Sequence, residues 1–408
     1  MDRIIETSSH INRADIIVGM PSYNEAKFIP YVTRTVDLGL TTYFPDMPAA
    51  IINVDNHSTD GTKEAFMSTP TRTAKIYISN PPGIKGKGNN ARNLFYAACE
   101  LQAKAVVMVD ADLTSITPRW IQYLGEPLFS GFDYVTPIYI RHKFDASITN
   151  HLCYPILRTL FRLRIRQPIG GDFGFSGRLA KRYLAAKLWS KQAAGYGIDV
   201  WMTTNAIASG YPICQTFLGS PKSHRVKDPA RHLKPMFKEV AWTLFDLIIE
   251  FESLWKHIKP STPTPIFGFG LGENENPPVP NVDTDHLYET FITGCDRYKK
   301  EWEAVISDEN LREILKAKRK PKKLLYYPTW VWCRTMFDFA VAYRNRILPH
   351  RRLVDSMVPL YYSRQLSFFN KMKNTDTKAC EEYIENINRV FEQEKKYLLT
   401  RWEERRGR

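Results

Sequence analysis

Cysteine is sparse and unpaired: the six residues at 99, 153, 214, 295, 333 and 380 are scattered along 408 positions with no Cys-X-X-Cys. That spacing excludes a zinc ribbon and a disulfide framework and leaves reduced thiols. No run has the length and apolarity of a membrane span. The most apolar stretch, Val240 to Trp255, carries Asp246, Glu250 and Glu252 and reads as an amphipathic helix. Met1 to Asp15 has no apolar core of the kind a secretory leader needs, so a soluble, cytoplasmic protein is expected. A Gly-X-X-X-X-Gly-Lys-Ser/Thr loop and a dinucleotide fingerprint are both missing, which removes support for a P-loop kinase or a dehydrogenase. No internal repeat or coiled-coil heptad stands out.

The chain is otherwise rich in core-forming residues, 43% hydrophobic and 13% aromatic, enough for a large domain and a smaller one. Its net charge of +14 favours acidic partners: nucleotides, phosphorylated metabolites, nucleic acid or an anionic surface.

Short apolar runs alternate with helical patterns. Ile16–Met20 leads into Pro21-Ser22-Tyr23-Asn24-Glu25 and a helix to Leu40. Ala50–Asp55 is followed by the turn Asn56–Gly61 and a helix from Thr62. Ala74–Ser79 leads through a Gly-rich loop, Pro81–Gly88, into a helix from Asn89 to Gln102. A helix over Pro118–Phe129, a strand over Tyr134–Ile140, a helix over Ile148–Leu163, a helix opening at Gly195-Tyr196-Gly197-Ile198-Asp199 and a strand from Pro212 to Leu218 complete the series. This succession predicts an α/β fold with a parallel, doubly wound sheet. From Pro235 the pattern turns helical, broken by Pro- and Gly-rich sequence at 259–285. Domains are therefore expected at 1–230 and 231–408.

The centre of the pattern is Val106-Val107-Met108-Val109-Asp110-Ala111-Asp112, a buried-strand run ending in two carboxylates one residue apart. Open α/β sheets bind ligands at the carboxyl ends of their strands, and hard oxygen ligands so placed suit Mg²⁺ or Mn²⁺ bridging nucleotide phosphates. Asp112 is expected at the surface of that strand end, contributing little to packing. Lys85 and Lys87, in the Gly-rich loop at a helix start, suit phosphate oxygens. Asp55 is read as a contact to a nucleotide base or ribose, Asp60 as a turn and cap residue. His224, just past a strand, gains a functional reading only if Asp112 is nearby.

Several ordered motifs together resemble the nucleotide-sugar glycosyltransferases of the GT-A fold. Val18–Glu25 resembles their first strand and donor loop, Val54–Thr62 their second-strand signature and Asp110-Ala111-Asp112 their metal motif. Arg141 with Asp145–Thr149, Gln167-Pro168-Ile169-Gly170-Gly171, Gly197-Ile198-Asp199 and Ser223-His224-Arg225 follow in the order seen in the mannosylglycerate synthase, glucosylglycerate synthase and glucosyl-3-phosphoglycerate synthase group. The resemblance covers about residues 14 to 230 and extends loosely into the helical region.

The resemblance implies a GT-A sheet with a C-terminal helical region, and a metal-dependent retaining transfer of glucose from a nucleoside diphosphate donor to the 2-hydroxyl of D-glycerate. Mannose from GDP-mannose, or 3-phosphoglycerate as acceptor, are the alternatives. It implies Asp110, Asp112 and His224 as holders of Mg²⁺ or Mn²⁺, and Pro21, Tyr23, Glu25, Asp55, Lys87, Asp110 and Ala111 around the donor. Arg141, Ala146, Thr149, Gly170 and Gly171 fall around the acceptor, with Asp199 and Asp112 catalytic. The expected partners are the sugar donor and a small carboxylate, with no nucleic acid, in a homodimer. Lys143 is expected to be solvated, which favours free glycerate over its phosphate. The rival classes are a nucleic-acid-binding protein, whose affinity would fall steeply with salt, and a nucleotide-binding regulatory domain without transfer activity.

Overall fold

The computed structural model describes residues 4–8, 10–223, 229–257, 259–268 and 277–404. The chain forms two compact units, both discontinuous. One comprises Met1–Arg141, Ile165–Asp228 and Pro263–Pro278. The other comprises His142–Arg164, Pro229–Thr262 and Val279–Arg408. A single cut near residue 230 therefore misses one excursion in each direction.

The first unit contains β1 (Ile4–Thr7), β2 (Ile16–Ser22), α1 (Ile29–Tyr43), β3 (Ala49–Asp55), α2 (Thr62–Ser68), β4 (Ala74–Ser79), α3 (Lys87–Glu100), β5 (Ala105–Met108), α4 (Pro118–Phe129) and β6 (Tyr134–Ile140). The second unit then takes a π-turn (Thr149–Cys153), α5 (Tyr154–Phe161) and the short β7 (Leu163–Arg164). The chain returns through β8 (Phe173–Ser176), α6 (Gly177–Leu184), α7 (Ile198–Ala208) and β9 (Ile213–Pro221).

After α8 (Pro229–Glu250), α9 (Glu252–Trp255) and β10 (Thr262–Pro263), the first unit gains β11 (Ile266–Phe267). The second continues with α10 (Thr284–Arg297), α11 (Lys299–Val305), α12 (Asp308–Lys318), α13 (Thr329–Arg344), α14 (His350–Met372), α15 (Thr377–Gln393) and α16 (Lys395–Glu404). Among the described residues no helix is long and apolar enough to cross a membrane.

The sheet order is β1-β4-β3-β2-β5-β8-β6-β9-β11, parallel except for β1 and β8. Its inner strands are buried along nearly their whole length, as expected where helices cover both faces. On one face Val32, Val36 and Leu40 of α1 and Trp120, Ile121 and Leu124 of α4, spaced at helical repeats, pack with Ile16, Val18, Ile51 and Val107.

Because β2, β3, β5, β6 and β9 are parallel, their carboxyl ends share one rim. That rim carries Ser22–Glu25, Asp55, Asp110, Arg141 and Lys222. β8 is reversed, so its beginning, not its end, reaches the same rim. Met108 pairs with Phe173, which sets the Gly170-Gly171-Asp172 turn beside Asp110.

β5 stops at Met108, so the carboxylates follow the strand instead of ending it. The helical stretch expected over Ile148–Leu163 is present as a π-turn that runs into α5, which ends where Arg162 adopts φ +69°.

In the second unit, Arg158 is 2% exposed and bonds both Glu385 and Glu392 of α15, a buried cation held by two carboxylates. Gly294 of α10 lets Pro359 of α14 approach, since a Cβ there would sit 2.3 Å from the proline ring.

Candidate active site

The rim residues form one charged network. Asp110 accepts from Lys87 Nζ through Oδ1 at 2.8 Å and from Lys222 Nζ through Oδ2 at 2.9 Å. Its backbone N–H donates to Asp172 Oδ1 at 3.0 Å. Lys222 also donates to Asp172 Oδ2 at 2.7 Å and to the Gly170 carbonyl at 2.5 Å. The Tyr139 hydroxyl donates to Asp172 and lies 3.1 Å from the same carbonyl. Asp199, in the first turn of α7, accepts through Oδ2 from the N–H groups of Gly170 (3.2 Å) and Gly171 (2.9 Å), and its Oδ1 lies 3.7 Å from Lys87 Nζ.

Charge in this network is fixed by proximity. Burial works against both ammonium groups, but Asp110 and Asp199 beside Lys87, and Asp110 and Asp172 beside Lys222, outweigh it and hold both pKa values above the ordinary lysine range. Burial, with Asp172 adjacent, keeps the Tyr139 phenol protonated and able to donate.

Two glycines make the close approach possible. Gly171 has φ +86°, and a Cβ there would lie 2.2 Å from Asp110 Oδ2. Gly88 lies so close to the 193–194 backbone that a Cβ would sit 2.0 Å from the Ala193 carbonyl oxygen; the start of α3 bonds this segment through Gly88 N to Gly195 O and Asn89 N to Ala194 O. Lys87 is thereby aimed at Asp110.

Asp112 is 3% exposed, so the expectation of a surface carboxylate is corrected: it sits inside the turn after β5, beside Ala111 at 2%. That turn is stitched to the end of β9, with Thr114 N donating to Ser223 O (3.0 Å) and Ser223 N to Ser115 Oγ (2.8 Å). His224, the next residue, lies outside the described residues. Among the described residues no group of three His, Cys, Asp or Glu side chains is gathered as a metal site. Asp110 and Asp112 match a hard divalent cation in donor chemistry. Such an ion would meet an Asp110 whose two oxygens already face lysines.

On the donor side, the Asp55 carboxylate accepts from Ser22 Oγ (2.8 Å), Ser58 Oγ (2.6 Å), Ser58 N (2.8 Å) and Tyr77 OH (3.0 Å). Those four bonds use its acceptor capacity, so the base contact expected of Asp55 would require one of them to open. The Pro21–Glu25 loop is tied to the same region. Pro21 pairs with Val54, Asn24 N donates to Ser58 Oγ at 2.7 Å and Glu25 N to Thr62 Oγ1 at 2.8 Å. Tyr23 is exposed and Glu25 buried. Asp60 bonds Ala26 N and Thr62, the structural role expected of it.

Arg141 lies over the Tyr139 ring, 4.7 Å from its centroid. Ala146 and Thr149 belong to the second unit. Ala146 has φ +55° and donates through its N–H to Asp145 Oδ1 at 2.7 Å, and Thr149 opens the π-turn and is buried. Lys143, expected in solvent, instead donates to the carbonyls of Met372 (3.0 Å), Lys373 (3.2 Å) and Thr375 (2.5 Å) at the C-terminus of α14. Lys222, Asp172 and Tyr139 were not singled out from sequence.

The mostly parallel sheet with helices on its faces agrees with the GT-A fold expected from sequence. Residues 51–244 match the family model for the mannosylglycerate synthase GT domain, and the chain resembles the group that includes that enzyme and glucosyl-3-phosphoglycerate synthase. The mannosylglycerate synthase of Rhodothermus marinus is 31% identical over 170 residues, 39% of this chain and 40% of that one; the chain thus spans well under half of this curated relative. Glucosyl-3-phosphoglycerate synthase from Mycobacterium tuberculosis, solved with Mg²⁺ and UDP, aligns over 57% of this chain and 79% of its own at 24% identity and a TM-score of 0.46. The same enzyme with Mn²⁺, UDP and glucosyl-3-phosphoglycerate aligns over 57% and 80%, at 24% identity and a TM-score of 0.47.

Proposed function

We propose that the protein is a metal-dependent retaining glycosyltransferase that moves glucose from a nucleoside diphosphate donor to the 2-hydroxyl of D-glycerate. The observation that carries this reading is the pairing of Asp199 with Lys87 beside Asp110. One carboxylate, oriented by two backbone amides, stands next to one fixed ammonium, matching the opposite charges that develop on the sugar and on the departing diphosphate.

In the proposed step the acceptor oxygen bonds to the anomeric carbon as its bond to the diphosphate breaks on the same face. The acceptor proton passes to the leaving phosphate oxygen, so no enzymatic base is required. Lys87 neutralises charge on the diphosphate, and Asp199 stabilises positive charge on the sugar. Asp110 and Asp112, with His224, would hold Mg²⁺ or Mn²⁺, which when bound supplies Lewis-acid stabilisation of the leaving group.

Arg141 offers a guanidinium for the acceptor carboxylate. The three carbonyls that occupy Lys143 support free glycerate, since they leave its ammonium committed within the second unit. The test is incubation with a panel of nucleotide sugars, D-glycerate or 3-phosphoglycerate, and Mg²⁺, scoring diphosphonucleoside release and product anomer by NMR. An α-linked product from an α-linked glucose donor is expected. A β product, or donor binding without transfer, would overturn the reading.

A further inference from the structure

Lys222 is a lysine in an improbable place. It follows β9, its side chain is 3% exposed, and its three donor positions are taken by Asp110 Oδ2, Asp172 Oδ2 and the Gly170 carbonyl. Nζ also lies 5.1 Å from the centroid of the Tyr139 ring. Taking an ammonium out of water is costly unless paired charges and hydrogen bonds offset the loss. Here two carboxylates do so, and one of them is a proposed ligand of the divalent ion.

We infer that Lys222 is a positioning residue that holds Asp110 as an internal counter-cation and competes with the divalent metal for Asp110 Oδ2, thereby setting the protein's metal affinity. This rests on the glycosyltransferase reading only through the assignment of Asp110 and Asp112 as metal ligands.

Lys87 takes Oδ1 of Asp110 and Lys222 takes Oδ2, so an incoming cation must displace an ammonium from an oxygen or share one with it. Lys222 does not lose its place when Oδ2 is surrendered, because Asp172, fully buried and bonded to Tyr139 and to Asp110 N, remains as its partner. The fixed positive charge meanwhile repels the metal. Metal retention in the absence of donor is therefore weakened, while the Asp110 rotamer is kept for the moment when a diphosphate adds negative charge to the site.

The experiment measures Mn²⁺ binding to the donor-free protein by electron paramagnetic resonance and calorimetry, in wild type and in Lys222→Met, which keeps the apolar stem and removes the charge. The expected result is at least tenfold tighter Mn²⁺ binding in Lys222→Met, with the gap between donor-free and UDP-bound affinities narrowed. A residue that merely supported the fold would give weaker binding on removal. Should Lys222→Met fail to fold, the double variant Lys222→Met/Asp172→Asn removes the buried pair as a neutral unit and must show the same tightening.

Unchanged or weaker binding in a folded variant overturns the inference and leaves the metal assignment standing. If wild type binds no Mn²⁺ with or without UDP, or if Asp112→Asn leaves binding intact, the metal assignment itself fails and takes the inference with it.

Discussion

Replacing Gly171 with alanine isolates the close approach on which the rim network depends. Two costs add. At φ +86° an L-residue is strained, by about 1–2 kcal/mol. The new Cβ would also lie 2.2 Å from Asp110 Oδ2 and 2.8 Å from its Cγ. A carboxylate normally swings away from such a contact, but this one is pinned by Lys87 at 2.8 Å and Lys222 at 2.9 Å, so the backbone must yield, at about 1–3 kcal/mol. The expected loss is roughly 2–5 kcal/mol in urea unfolding, from the sum of those two costs. Movement of the 170–171 turn also shifts the amides that orient Asp199. Since a misplacement of about 1 Å can cost on the order of 10²-fold in rate, kcat for transfer should fall by that order. Gly210 serves as the control: it has φ +72° with nothing within 4 Å of its would-be Cβ, so Gly210→Ala should lose only the backbone portion and keep its rate. Equal destabilisation of the two variants, with full activity in Gly171→Ala, would refute the packing argument.

Three further outcomes are expected. Asp199→Asn keeps the shape and the amide contacts but removes the charge, so kcat should fall by about 10²–10³ with donor affinity by calorimetry unchanged or tighter; an unaltered kcat would exclude Asp199 from charge stabilisation. Lys143→Met leaves the end of α14 without its cation and should cost about 1–3 kcal/mol in stability while the glycerate to 3-phosphoglycerate rate ratio holds; selective loss of 3-phosphoglycerate turnover would reverse the choice of acceptor. Lys395 is buried beneath the carbonyls of Thr159 and His257, and burial, with Arg162 nearby, lowers its pKa from 10.5 to about 8. The unfolded chain then binds the extra proton between those values, so stability rises with pH across about 8 to 10.5. The melting-temperature difference between wild type and Lys395→Met should shift in favour of wild type from pH 7.5 to 9.5, and a constant difference would refute the assignment.

The parallel part of the sheet was legible because each strand is a short apolar run followed at once by turn chemistry. Ala74–Ser79, Pro118–Phe129 and Tyr134–Ile140 stand in the structure with the bounds read from sequence. The reversal of β8 was not legible, since strand direction leaves no mark on four residues buried on both faces. Lys222 was missed for a related reason. Nothing in Pro221-Lys222-Ser223 announces burial, and its partners Asp110 and Asp172 stand 112 and 50 residues away, adjacent only through the sheet order. Asp112 misled for the opposite reason: a carboxylate in a polar turn looks solvated until the turn is seen stitched to Ser223. The Lys143 contacts likewise span about 230 residues, beyond the reach of any local pattern.

The reversal of β8 also makes β6 and β8 antiparallel neighbours in the sheet, joined by the long stretch from Arg141 to Asp172. Where they pair, Tyr134 with Phe175 and Val135 with Gly174, the two strands are held about one strand spacing apart, roughly 5 Å, whatever the length of that connection. Closing a longer or shorter loop there changes the free energy only slowly, by about 0.6 kcal/mol per doubling. The length of that connection is therefore free to vary without disturbing the sheet: Asp110 after β5, Lys87 at the start of α3 and Asp199 in α7 are all carried by parts of the chain outside it.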